Sequence, residues 1–197
     1  MEGTTGTEIK EIRIKDLTAN PAPLGLLAFG MTTVMLNLHN AGIFALGSMI
    51  FAMGIFYGGL AQIIAGIMEW KKNNSFGTLA FISYGFFWIS LVGLIVMPKF
   101  GFSDLFTKAE FIAFLVIWGL FSFVMFIITL RLQKSLQVVF GLLVLLFVLL
   151  ILGNALDNIL ILEIAGVEGI LCGLSAMYTG LGQLMNEVYK EKVINLG

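Results

Sequence analysis

The chain has 197 residues, 59% of them hydrophobic and 12% charged, with a mean hydropathy of +1.01, too apolar for an ordinary soluble domain. A net charge of −1 offers no field to recruit nucleic acid or strongly anionic partners. One histidine and one cysteine cannot assemble a metal site of ordinary spacing or a catalytic triad, so no metal, cofactor or enzymatic activity is expected.

The opening MEGTTGTEIKEIRIKDLTAN is polar, of mixed charge and without an apolar core, so it reads as a flexible tail over residues 1–20 rather than a signal peptide or a span. No Lys, Arg, Asp or Glu then occurs between Asp16 and Glu69, and further charge-free runs cover 73–98, 111–130, 135–156 and 169–186. A membrane-spanning helix needs roughly 20 apolar residues, so the long first run holds two spans and each later run holds one. The expected spans are 22–43, 46–69, 76–97, 109–131, 135–156 and 161–186, within one transmembrane domain over 21–187, followed by a short tail over 188–197. Solid runs of Leu, Ile, Phe, Gly and Val lack the alternation of a transmembrane barrel, which leaves an all-α integral membrane protein.

With the amino terminus cytoplasmic, the inside segments carry Lys10, Arg13, Lys15, Lys71, Lys72, Arg131, Lys134, Lys190 and Lys192, against Lys99 and Lys108 outside. That asymmetry satisfies the positive-inside rule and predicts a multi-pass protein of the cell membrane with both termini cytoplasmic.

Within the spans two features stand out. Gly166, Gly169, Gly173, Ala176 and Gly180 form a small-residue stripe on the last span, and Gly47, Gly54, Gly58, Ala61 and Ala65 a second on span two, both suited to close helix packing. On the first span Phe29, Thr32, Thr33, Asn37, His39 and Asn40 fall within an arc of roughly 160°. Facing lipid, each polar group would cost about 1–3 kcal/mol, so this arc must face protein or a wet cavity. Interhelical hydrogen bonding explains any one threonine; a solute path explains the set better.

The segments NPAPLGL, FGMTTVMLNLHN, MGIFYGGLAQIIAG, SYGFFW and LCGLSAMY, spread from Asn20 to Asn186, resemble the acetate uptake transporter family. The resemblance implies six spans with both termini inside, a homo-hexamer with a separate path in each protomer, and uptake of acetate, in some members succinate, coupled to protons. It also implies a narrow constriction that corresponds here to Phe29, Tyr84 and Leu143, and makes Leu143 and Ala176 positions where side-chain volume limits substrate size. Counted along their helices, the three constriction residues sit about 12–14 Å from the cytoplasmic end, and Ala176 about 16 Å, one common layer.

No span holds a lysine or arginine between the interfaces, so a carboxylate at that layer must meet neutral donors or cross as the acid. Thr32, Thr33 and the Tyr84 phenol are the expected donors, with Asn37, Gln62 and Asn154 as further candidates for lining the path. A small carboxylic acid has a pKa near that of Glu, about 4.3, so a proton can remove the charge penalty. Glu168 is expected to be a wetted carboxylate near the outer interface, and His39 a hydrogen-bonded structural residue or a vestibule contact. Cys172 reads as a small hydrophobe. The expected partners are acetate and other small carboxylates, protons and membrane lipid. A passive anion or small-solute channel would use the same residues, and a non-transporting membrane scaffold would use only the small-residue stripes.

Overall fold

The structure, a computed structural model, describes residues 18–197. Residues 1–17 of the tail expected over 1–20 lie outside the described residues, among them Lys10, Arg13 and Lys15. Six helices among the described residues are long and apolar enough to cross a membrane: Ala22–Asn40, Ser48–Lys71, Ser75–Phe100, Lys108–Thr129, Lys134–Ala155 and Ile159–Tyr189. We number them as spans one to six.

Local chemistry sets their ends. Span one starts on Pro21 and Pro23, whose missing N–H groups fall in the first turn where none is needed. It ends at Asn40 rather than 43 because the chain turns at Gly42, which has φ +76°. Asn74 caps span three, its Oδ1 accepting from Gly77 N at 3.0 Å, and Pro98 converts the end of that span to a 3₁₀ turn, Met97–Phe100. Thr107 and Glu110 form a reciprocal capping box on span four. Asn158 accepts from Leu160 N and Ile161 N to start span six.

Span two is not a uniform helix. It winds as π-helix from Met53 to Ala61 between two α-helical stretches. Wider winding changes which side its small residues face. Gly54 meets Val92 of span three, Gly58 meets Thr32 of span one and Gly66 meets Ile82 of span three, so the expected single stripe is divided between two neighbours.

The stripe on span six is continuous and faces span one. A Cβ on Gly166 would lie 2.2 Å from Ala41 N, on Gly169 2.2 Å from Asn37 Cγ, on Gly173 2.6 Å from Gly30 O, and on Gly180 3.2 Å from Pro23 O. Backbone thus approaches backbone along most of both helices, and this is the most extensive helix pair in the molecule. Span five packs on six, four on five, and two on three and one. Spans one, three and five face one another across the interior, while Phe56, Ile117, Leu120 and Val167 cover the outside.

Span six runs 31 residues, about 46 Å at 1.5 Å per residue, and so projects beyond a hydrocarbon core of about 30 Å. Its far end organises the last residues. Asn186 donates to Ile194 O and accepts from Ile194 N, both at 2.8 Å, Ser135 N donates to Leu196 O at 2.9 Å, and Leu196 is buried. The segment expected as a tail is therefore docked under the bundle.

Candidate functional site

Two cavities lie end to end inside the bundle. The inner one, about 120 Å³, is lined from span one by Ala22, Leu26 and Phe29, from span two by Gln62 and Glu69, and from span three by Phe76, Gly77, Ala80, Phe81 and Tyr84. Span five adds Leu136, Val139, Phe140 and Leu143, with Asn74 and Gln183 closing the ring. It continues into a larger vestibule through shared lining residues Ala22, Glu69, Asn74 and Gln183; the docked residues Lys192, Ile194, Leu196 and Gly197 form one lip of that vestibule.

The outer cavity is smaller, about 30 Å³, room for little more than a water or two. Phe29, Thr33, Leu36, Asn37 and Asn40 line it from span one, Tyr84, Phe87 and Trp88 from span three, and Leu143, Leu146, Phe147 and Leu150 from span five. Three residues line both cavities: Phe29, Tyr84 and Leu143. All three are buried, and the Phe29 and Tyr84 rings stand 5.8 Å apart at 55°. Packing behind them holds Tyr84 in place, with Phe121 at 5.4 Å, Phe140 at 6.1 Å and Trp118 at 6.3 Å between ring centroids.

The polar arc of span one divides. Thr33, Asn37 and Asn40 line the outer cavity, whereas Thr32 turns to span two, its Oγ1 3.5 Å from Met53 O and its side chain against Gly58. Most of the donors are already engaged. Thr33 Oγ1 donates to Phe29 O at 2.8 Å, Asn37 Nδ2 to Thr33 O at 2.9 Å, and Asn40 Nδ2 to Asn37 Oδ1 at 3.0 Å. Bonding to a carbonyl one turn back is the local way for such side chains to be satisfied within a buried helix.

Tyr84 departs from its expected role as a donor to substrate. Ser122 gives its one proton to Trp118 O at 2.8 Å, so at the 2.9 Å contact the phenol is the donor and Ser122 the acceptor. Its proton points away from the cavities. Gln62 lines the inner cavity, its Oε1 buried without a partner. Asn154 donates to Leu150 O at 2.7 Å and Ala176 is fully buried in the helix core; neither lines the two cavities. His39 Nδ1 lies 3.0 Å from Phe44 O, a structural contact at the end of span one.

Glu168 is not at a wet helix end. Because span six begins at Ile159, it lies about 14 Å along the helix, is 8% exposed, and has neither carboxyl oxygen hydrogen-bonded.

Sequence reasoning missed the groups with the clearest unmet bonding at the cavities. Trp88 lines the outer one and its buried Nε1 has no acceptor. Glu69 lines the inner one; its Oε2 accepts from Asn74 Nδ2 at 2.7 Å while Oε1 is buried and unpartnered, as is Oε1 of Gln183. In the sequence Glu69 serves only to mark where a charge-free run stops, so the signal that ended the span concealed the residue.

Comparison with known proteins agrees with this architecture. The succinate-acetate/proton symporter SatP of Escherichia coli K12 is 51% identical over 180 residues, covering 91% of this chain and 95% of that protein. Acetate permease A of Emericella nidulans is 33% identical over 180 residues, covering 83% of this chain and 60% of the permease. The solved structure of the bacterial acetate channel SatP superposes with a TM-score of 0.90 at 50% identity, covering 91% of this chain and 99% of that one. These relatives are a symporter, a permease and a channel, and none is an enzyme. A family model matches residues 2–194, and the chain belongs to the GPR1/FUN34/yaaH family of multi-pass membrane proteins.

Proposed function

We propose that the protein carries acetate and related small carboxylates, succinate among them, across the cell membrane together with protons, through a path inside each protomer narrowed by Phe29, Tyr84 and Leu143. The observation that supports this most is that, among the described residues, these three alone line both cavities, so a solute passing from one to the other must displace them. The relatives named for acetate supply the substrate class. Both termini are cytoplasmic in this reading, so the vestibule beneath the docked carboxyl-terminal residues is the inner mouth, and the protein assembles as a homo-hexamer in the bilayer.

Neutral crossing follows from the lining. Among the described residues neither cavity wall contains a lysine or arginine, and Thr33 and Tyr84 have given their protons to protein acceptors. A bare carboxylate there would be buried without a counterion; the acid form removes that penalty. In the outer cavity Trp88 Nε1 and the carboxamides of Asn37 and Asn40 are the groups able to meet the acid's oxygens.

Labelled-acetate counterflow into proteoliposomes, with and without an imposed pH gradient, tests the reading. Flux that saturates, accelerates with a proton gradient and accumulates acetate against its own gradient is the expected result. Saturable flux that only equilibrates and follows voltage would make the protein a passive anion channel, a second reading favoured by the name of the superposed structure. The absence of protein-dependent flux would leave only a membrane scaffold.

A further inference from the structure

The inner cavity carries unmet hydrogen-bonding capacity of one particular kind. Glu69 is 2% exposed and its Oε1 has no donor; the Oε1 atoms of Gln62 and Gln183, on spans two and six, are likewise buried and unpartnered. All three side chains line the same cavity, just on the vestibule side of Phe29 and Tyr84. Buried polar groups are nearly always satisfied, so a ligand with a donor belongs beside Glu69.

Charge narrows what that ligand is. Span one contributes no charged group to the cavity wall, span three contributes the neutral Asn74, span five none, and span six Gln183. Among the described residues the cation that acts on Glu69 is Lys72, one turn along, which bonds the backbone oxygen of Thr18; Glu187 and Lys192 face the vestibule from span six and the docked segment beyond it. An ionised carboxylate substrate in the cavity would therefore stand against an ionised Glu69 with no cation between them. Two carboxyl groups so placed cannot both be ionised; they share a proton. A neutral acid supplies the donor that Glu69 lacks without adding a second negative charge. Its O–H donates to Glu69 Oε1, and its carbonyl accepts from a carboxamide of Gln62 or Gln183, each of which carries a donor and an acceptor. An ammonium ion would also meet these acceptors, and it is the transport reading above, with its relatives named for acetate, that selects the acid.

We propose that the inner cavity binds the protonated head of a small carboxylic acid and that Glu69 is the group with which it exchanges its proton. This rests on the transport reading above. For uptake, the acid that has passed Phe29, Tyr84 and Leu143 transfers its proton to Glu69, so RCOOH and Glu69 carboxylate become RCOO⁻ and Glu69 carboxylic acid. The anion leaves through the vestibule, and Glu69 then gives the proton to vestibule water. Mass and charge balance at each step, and efflux is the reverse.

The test uses purified full-length protein in liposomes and labelled acetate, with pH gradient and membrane potential imposed separately. Wild-type flux should respond to the pH gradient and hardly to voltage. Glu69→Gln keeps the shape but removes both the titration and the repulsion. At pH 7.5 its flux should lose most of the pH-gradient acceleration, at least about tenfold or 1.4 kcal/mol, because acid that reaches the inner cavity finds no group there to take its proton. Glu69→Asp, which keeps a carboxyl group, should regain a pH-gradient response. Thermal melting in detergent confirms that both variants are folded. A Glu69→Gln profile equal to that of the wild type, or a Glu69→Asp profile equal to that of Glu69→Gln, overturns the assignment of Glu69 while leaving transport intact. Absence of wild-type flux overturns the transport reading and this inference together.

Discussion

Phe29 and Tyr84, from two different helices, place their rings 5.8 Å apart and form, with Leu143, the wall common to both cavities. Neither ring is free to swing far: Tyr84 is packed by three further aromatic rings and held by Ser122, and Phe29 lies in a helix pressed onto span six. Removing one side chain should therefore open a fixed gap rather than trigger collapse. Phe29→Ala and Leu143→Ala are expected to raise acetate counterflow and to raise succinate flux relative to acetate, with Leu143→Ala having the larger effect on size selection. Equal acetate and succinate rates in wild type and both variants would remove these residues from the path.

Tyr84→Phe separates the ring from the hydroxyl. The ring stays, so flux should remain within about twofold of wild type, less than about 0.5 kcal/mol in barrier. Ser122 loses its donor, and the protein should lose about 1 kcal/mol of stability, seen as a lower melting temperature in detergent. A large loss of flux with unchanged melting would mean that the phenol serves the substrate after all.

Trp88→Phe removes the unpartnered N–H from the outer cavity while keeping an aromatic wall. One lost hydrogen bond is worth about 1 kcal/mol, so half-saturation for acetate on the outer side should rise roughly fivefold with the maximal rate little changed. Uptake titrations on right-side-out vesicles measure this directly.

Gly173 and Gly93 form a contrasting pair. A methyl group at Gly173 would meet Gly30 O at 2.6 Å and Val34 N at 2.9 Å, backbone atoms that can move only if spans one and six separate. At Gly93 the nearest neighbour is Met97 Sδ at 3.8 Å. Gly173→Ala should cost on the order of 1–3 kcal/mol and lower the yield of folded protein, whereas Gly93→Ala should be neutral or slightly stabilising. Size-exclusion profiles and melting curves of the two variants give the comparison.

The six spans were legible because the signal for them is long and one-dimensional: charge-free runs of membrane length, bounded by Pro21, Gly42, Asn74, Pro98 and Asn158 acting as local stops and caps. The glycine stripe of span six was legible for the same reason, as a regular period on a regular helix. The stripe on span two was not, because π winding from Met53 to Ala61 breaks the period that the count assumed. Depth along a helix could be counted for Phe29, Tyr84 and Leu143, but not which direction a hydroxyl points. Thr32 facing Gly58, and Tyr84 donating to Ser122 of span four, depend on neighbours more than 20 residues away in sequence. Glu69 and Gln183 share one cavity only because spans two and six, far apart in sequence, both contribute to its wall.

The self-satisfied polar groups of the interior have one more effect. Thr33 ends on Phe29 O, Asn37 on Thr33 O, and Tyr84 through Ser122 on Trp118 O, so each chain of donors stops at a backbone carbonyl. A hydroxyl relay would conduct bare hydrogen ions and short-circuit an energised bilayer; dead ends cannot. In the proposed transport reading, insulation against leak is then built from the same threonine, asparagine and tyrosine side chains that make the interior polar, and the travelling acid itself is the vehicle for charge-neutral proton passage.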